Sequence, residues 1–236
     1  MRLSAPLYRL KRDAKRLSRD QKLPLHAALD RVAAQQGFAR WSLLASSHAR
    51  GRSARLFAQL QPGDMVLIGA RPGQGKTLLS VDLAAQALQA GQRAAFFTLE
   101  YTEAEVANRF KAAGIDPSAF AGALDLDTSE AICADHVVAR LANAPRGPLA
   151  VIDYLQLLDR RRDTPDLATQ VRTLQAFARE RGIVFVVISQ IHRSFDPSTK
   201  NCPDLADVRL INDLDLRLFS KACFLHDDEI TFAHVN

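Results

Sequence analysis

The nine residues Gly69-Ala70-Arg71-Pro72-Gly73-Gln74-Gly75-Lys76-Thr77 constrain this chain more than any other stretch. They lie between an apolar run, Met65-Val66-Leu67-Ile68, and an amphipathic one. That order reads as strand, loop, helix. Glycines at 73 and 75 let backbone N–H groups converge on an anion, Lys76 sets a point charge against the terminal phosphates, and Thr77 offers a hydroxyl to Mg²⁺. The generic pattern has a glycine where Ala70 stands. Alanine disfavours positive φ, so the loop is expected to enter in an ordinary conformation and keep only the later glycines. The expected ligand is ATP with its Mg²⁺, held by Arg71, Pro72, Gly73, Gln74, Gly75, Lys76, Thr77 and Leu78.

From this loop onward the chain alternates strand and helix. Apolar runs at 65–68, 94–99, 149–152 and 183–188 have the continuous burial of parallel strands, and helical spacing is found at about 77–89, 103–113, 130–143 and 167–181. The segments 219–225 and 230–233, joined across His226-Asp227-Asp228-Glu229, suggest a terminal hairpin. The expected fold is α/β, a doubly wound, mostly parallel twisted sheet with its ligand at the carboxyl ends of the strands.

Three strand tips carry further chemistry. Leu149-Ala150-Val151-Ile152-Asp153 delivers a carboxylate that, beside a phosphate loop, orients Mg²⁺ opposite Thr77. Phe96-Phe97-Thr98-Leu99-Glu100 ends in a carboxylate expected to take a proton from attacking water, on a strand next to the phosphate loop. Val186-Val187-Ile188-Ser189-Gln190 presents a neutral amide able to sense the terminal phosphate. The catalytic candidates are therefore Glu100, Lys76 and Gln190, and the metal candidates Thr77 and Asp153. Cys133, Cys202 and Cys223 show neither disulfide-framework nor zinc spacing.

The net charge of +5 conceals an asymmetry. Residues 1–60 hold 13 Lys/Arg against three Asp, a local +10, and the remaining 18 Lys/Arg against 23 Asp/Glu leave −5. Such segregation favours a polyanionic partner, nucleic acid first. Leu7, Leu10, Ala14 and Leu17 fall at helical spacing, as do Leu25, Ala28, Leu29, Val32 and Ala33, with Trp41, Leu43 and Leu44 placed to close a small core. The basic residues of the first helix fit a nucleic-acid contact and a solvated surface equally. The organisation expected is a basic helical module at 1–47, a small polar linker at 48–55 and a nucleotide-binding domain at 56–236. No apolar run approaches the roughly 20 residues of a membrane span and no signal-peptide core is seen, so a cytoplasmic protein without membrane association is expected.

Taken together, Ala70-Arg71-Pro72 with Gly75-Lys76-Thr77, Thr98-Leu99-Glu100, Val151-Ile152-Asp153-Tyr154-Leu155-Gln156-Leu157 and Ser189-Gln190-Ile191-His192-Arg193 resemble, in order, the nucleotide motifs of the RecA-like motor domain of DnaB-type replicative helicases. The resemblance covers about residues 56–209. It implies a RecA-type P-loop fold, Mg²⁺-dependent ATP hydrolysis, single-stranded DNA or a replication protein as partner, and a ring hexamer. DNA-gripping loops would fall at 159–163, with Arg160, Arg161 and Arg162, and at 193–201, with Arg193, Lys200 and Phe195 as the stacking aromatic. The family's Lys-x-Arg element, which completes a neighbouring subunit's site, has no match up to Asn236, and Arg209 and Arg217 are the candidates to replace it. A nucleotide-gated DNA- or protein-binding adaptor is the alternative. A phosphoryl-transfer enzyme similar to RecA-fold clock proteins is a third reading.

Overall fold

The computed structural model describes residues 3–5, 7–144, 147–159, 164–210, 214–227 and 229–235. The chain divides into two compact units, Met1–Arg55 and Leu56–Asn236. No helix of the described residues is long and apolar enough to cross a membrane.

The first unit contains α1 (Leu7–Asp20), α2 (Leu25–Gln35) and all but the last two residues of α3 (Trp41–Phe57). Leu10 and Ala14 of α1 meet Ala28 and Val32 of α2, while Leu7, Ala33 and Leu44 form a second contact, with Trp41 packed against both. Gly37, at φ 83°, ends α2 and lets the Phe38 N–H reach the Ala33 carbonyl at 3.0 Å. The Asp30 carboxylate accepts the Trp41 N–H at 2.8 Å and sets the start of α3.

Two expectations fail here. Residues 48–55 are not an irregular linker but part of α3. Alanine and arginine are strong helix formers and outweigh the one glycine, Gly51, in that stretch. Leu43 is 51% exposed, and Leu44 alone of that pair enters the core.

The second unit runs β1 (Met65–Ala70), α4 (Lys76–Gln89), β2 (Ala94–Thr98), α5 (Glu103–Ala112), β3 (Leu124–Asp127), α6 (Ala134–Leu141), β4 (Leu149–Asp153), α7 (Leu167–Arg181), β5 (Val184–Gln190), β6 (Lys221–His226) and β7 (Glu229–His234). These strands form a seven-stranded sheet in the order β3-β2-β4-β5-β1-β6-β7. All neighbours are parallel except the β6–β7 hairpin.

Alternation along the strands divides the core between the two faces of the sheet. Leu67, Phe97, Ile152, Phe185 and Val187 pack with Val137, Leu141, Val171 and Leu174 of α6 and α7. Val66, Ile68, Phe96, Val151 and Val186 pack with Leu83, Ala84, Val106 and Phe110 of α4 and α5. Gly69 is required by close approach, since a Cβ there would lie 2.6 Å from the Phe224 ring.

The register brings the functional tips together. Ala70 pairs with Gln190 and Thr98 with Asp153. β2 is not next to the phosphate loop, because β4 and β5 lie between it and β1. β3 escaped the sequence reading because Leu-Asp-Leu-Asp is an edge strand with three half-buried residues rather than an apolar run. α6 is shorter than expected and starts at Ala134, whose N–H donates to the Gln170 side chain at 3.0 Å.

Candidate functional site

A cavity of about 340 Å³ opens at the carboxyl ends of the central strands. Gly73 and Gly75 take φ of 77° and 86°, and a Cβ at either would meet nothing within 4 Å. Glycine is needed there for backbone conformation rather than for space. Gly75 is also the N-cap of α4, so the amides of the helix's first turn are aimed at the cavity. Pro72, Gly73, Gly75, Lys76, Thr77 and Leu78 line it from the loop and the first turn of α4.

The expected chemical groups converge on the same space. Glu100, Asp153 and Gln190 line the cavity from the tips of β2, β4 and β5. Contacts of α4 with β2, β4 and β5 carry Lys76 and Thr77 across the intervening strands toward Glu100. The Thr77 hydroxyl donates to Asp153 Oδ2 at 2.9 Å. Lys76 Nζ donates to the Ala70 and Arg71 carbonyls, each at 3.1 Å, closing the loop upon itself. The Glu100 N–H donates to the Thr98 hydroxyl at 3.0 Å, which fixes the turn at the end of β2 while the Glu100 side chain remains exposed.

Electrostatics follow from burial. Asp153 is 1% exposed. Burial, helped by the Glu100 charge, pushes its carboxyl up to about 6, against the Thr77 hydrogen bond and the Lys76 and Arg109 charges. Burial also lowers the Lys76 ammonium from its ordinary range, opposed by Asp153 and Glu100. An oxygen pair of half-buried Thr77 and buried Asp153 is a donor set suited to a hard cation such as Mg²⁺.

Arg71 and Gln74 do not line the cavity, and their side chains serve the protein instead. The Arg71 guanidinium donates to the Arg193 carbonyl at 2.8 Å and to the Phe195 carbonyl, and lies 5.5 Å from the Phe195 ring centre. Gln74 Oε1 accepts the Asp227 N–H at 2.7 Å, tying the loop to the β6–β7 turn. In this arrangement neither side chain is directed into the cavity.

Among the proposed DNA contacts, Arg160, Arg161 and Arg162 lie outside the described residues. Arg193 is exposed. Lys200 is engaged by Asp204 at 2.8 Å and Asp207 at 2.5 Å. Phe195 is 2% exposed and packs edge-on to His226, so it is a core residue and not a stacking platform. Arg209 is exposed, whereas Arg217 makes a two-pronged pair with Asp215.

The sequence reading missed Arg109, which lines the cavity from α5. Its guanidinium carbon lies 4.0 Å from the centre of the Tyr101 ring, and its buried Nε has no hydrogen-bond partner among the described residues. A signal was present: Val106 and Phe110 mark the buried face of α5, and Arg109 stands three residues after Val106, placing a cation on that apolar face. Tyr101, Tyr154 and Ile188 complete the walls.

Comparison with known proteins gives the family and the fold. Residues 54–145 and 126–215 match the DnaB-like helicase C terminal domain model. The replicative DNA helicase DnaB of Synechocystis sp. is 28% identical over 181 residues, covering 64% of this chain and 21% of that protein. A DnaB-like replicative helicase of known structure superposes with a TM-score of 0.57 at 18% identity, covering 69% of this chain and 47% of that one. A KaiC-like protein from Pyrococcus horikoshii OT3 superposes with a TM-score of 0.52 at 16% identity, covering 69% and 70%. The chain spans less than half the length of curated relatives it matches. The fold is that of RecA-like ATPase domains.

Proposed function

Because the chain belongs to the family of the DnaB-like helicase C terminal domain, we propose that its second unit is an Mg²⁺-dependent ATPase coupled to single-stranded DNA in replication-related remodelling. The observation that carries this reading is the Thr77–Asp153 hydrogen bond, made on a cavity that Lys76, Glu100 and Gln190 also line. ATP is the substrate. The left-handed glycines and the amides opening α4 cradle its phosphates, and Lys76 turns from the Ala70 and Arg71 carbonyls to the terminal phosphates.

Thr77 and Asp153 would hold Mg²⁺, which when bound neutralises charge on the phosphates. Glu100, exposed on the cavity wall, accepts the proton of the attacking water. Gln190 links the cavity to the chain that follows β5, since its carbonyl accepts the Arg209 N–H at 2.9 Å. Arg71 bridges the phosphate loop to the segment carrying Arg193. Nucleotide state can in this way bias the segment proposed to meet DNA. Copies of the chain assemble as a ring in the cytoplasm, and catalysis is mainly electrostatic positioning.

The test is steady-state ATP hydrolysis with Mg²⁺, with and without single-stranded DNA, across a protein dilution series, with Lys76→Ala as blank. Turnover stimulated by DNA and falling cooperatively on dilution is expected. Tight ATP binding with no turnover above the blank would replace the motor with a nucleotide-gated adaptor.

A further inference from the structure

Away from the nucleotide cavity, one helix carries a strongly one-sided charge distribution. At about 100° per residue, Leu7, Leu10, Ala14 and Leu17 of α1 fall within an arc of roughly 80°. Packing follows that arc: Leu7, Leu10 and Ala14 are buried, and Leu17 packs with Leu10 and Ala14 against Ala28 and Val32. Arg9, Lys11, Arg12, Lys15, Arg16 and Arg19 occupy the solvent side over an arc of roughly 160°, and all six are exposed. Asp13 and Asp20, the helix's two acids, stand together beyond the Arg9 margin of that arc. Arg16 meets Asp13 at 3.6 Å, and Arg9 Nε donates to the Tyr8 hydroxyl at 3.2 Å.

We infer that this face of α1 is a binding surface for the phosphate backbone of nucleic acid. Lys11, Lys15 and Arg19 form one row at four-residue steps, and Arg12 and Arg16 a second row, each step rising about 6 Å. Like charges four residues apart repel, so the two rows work against the helix that carries them. An ordinary solvated face mixes both signs and avoids that repulsion. A polyanion removes it. A nucleic-acid strand offers one charge every 3.4 Å or so, dense enough to serve both rows at once. A lipid surface fits less well, because the apolar side of α1 is spent on the core of its own unit and is not free to insert. The face lies before residue 54, where the matched helicase region begins, so this inference goes beyond the ATPase reading and does not depend on it.

The experiment uses the full chain without nucleotide and a fluorescein-labelled oligothymidine, followed by anisotropy across a salt series. Replacing Lys11, Lys15 and Arg19 together by Ala should lower the slope of log K against log salt by about 2 and weaken binding by about tenfold or more. A charge-conserving triple, Lys11→Arg, Lys15→Arg and Arg19→Lys, should keep both. The same differences should appear in a Lys76→Ala background, where failure of the ATPase reading leaves this readout intact. An unchanged slope in the Ala triple, equal loss in both triples, or a larger effect on binding to phosphatidylserine-containing vesicles than to the oligonucleotide would each overturn the inference.

Discussion

The Thr77 hydroxyl donates to the Asp153 carboxylate across 2.9 Å, joining the first turn of α4 to the tip of β4. Neither β4 nor its tip adjoins β1, from which the phosphate loop departs, so the contact records how α4 crosses the sheet.

The first prediction concerns acid. In nucleotide-free protein the Asp153 carboxyl titrates at about 6, against an ordinary 3.8, chiefly through burial. Between those values the folded state holds more protons than the unfolded, so stability falls as pH rises from 3.8 to about 6, by on the order of 2–3 kcal/mol. Urea unfolding at a series of pH values should show this slope, and Asp153→Asn should flatten it.

Glu100 and Arg109 should both act on turnover rather than on nucleotide binding. Glu100→Gln removes the proton acceptor, and it should keep ATP binding while lowering turnover by about 10²–10⁴. Arg109→Ala removes a cavity cation and should cost on the order of 10² in turnover with little change in ATP affinity. Arg109→Lys should recover only part of this, because lysine lacks the planar group that lies on Tyr101. Single-turnover assays alongside equilibrium nucleotide binding check all three.

Two cations in the segment after β5 should behave differently toward DNA. Arg193 is exposed, whereas Lys200 is held by Asp204 and Asp207. Arg193→Ala should lower the salt slope of single-stranded DNA binding by about 0.7, and Lys200→Ala should leave it unchanged. Equal effects would show that the two carboxylates release Lys200 on binding.

At the opposite end of the sheet, Lys221 forms a buried ion pair with Asp64, which also accepts from the Ser220 hydroxyl at 2.7 Å and the Gln61 N–H at 2.6 Å. Lys221→Met strands the carboxylate and should destabilise the fold by about 3–5 kcal/mol. Adding Asp64→Asn should recover part of that loss in the unfolding midpoint.

How much was legible depended on the range of the interaction. β1, β2, β4 and β5 were readable because continuous burial in a parallel sheet forces apolar runs. β3 was not, because an edge strand buries too little to force one. The 48–55 stretch misled because its small, polar and basic residues suggested a linker, whereas its alanine and arginine favour the helix that forms. Phe195 looked like a stacking aromatic until Arg71, Lys200 and His226 were found around its ring.

The amino-acid sequence by itself determined the local chemistry: glycines where φ must be positive, a lysine and threonine opening a helix, and acidic or amide residues at the ends of apolar strands. Those are properties of a few consecutive residues and need no distant partner. The tertiary structure alone decided which tips meet, since strand order is set by crossovers and packing across the whole sheet. It also decided that Arg109 faces the cavity, that Arg71 and Gln74 brace the loop, and that Lys200 is already paired. Each depends on groups far apart in the chain, brought together only by the burial of the two apolar faces of the sheet.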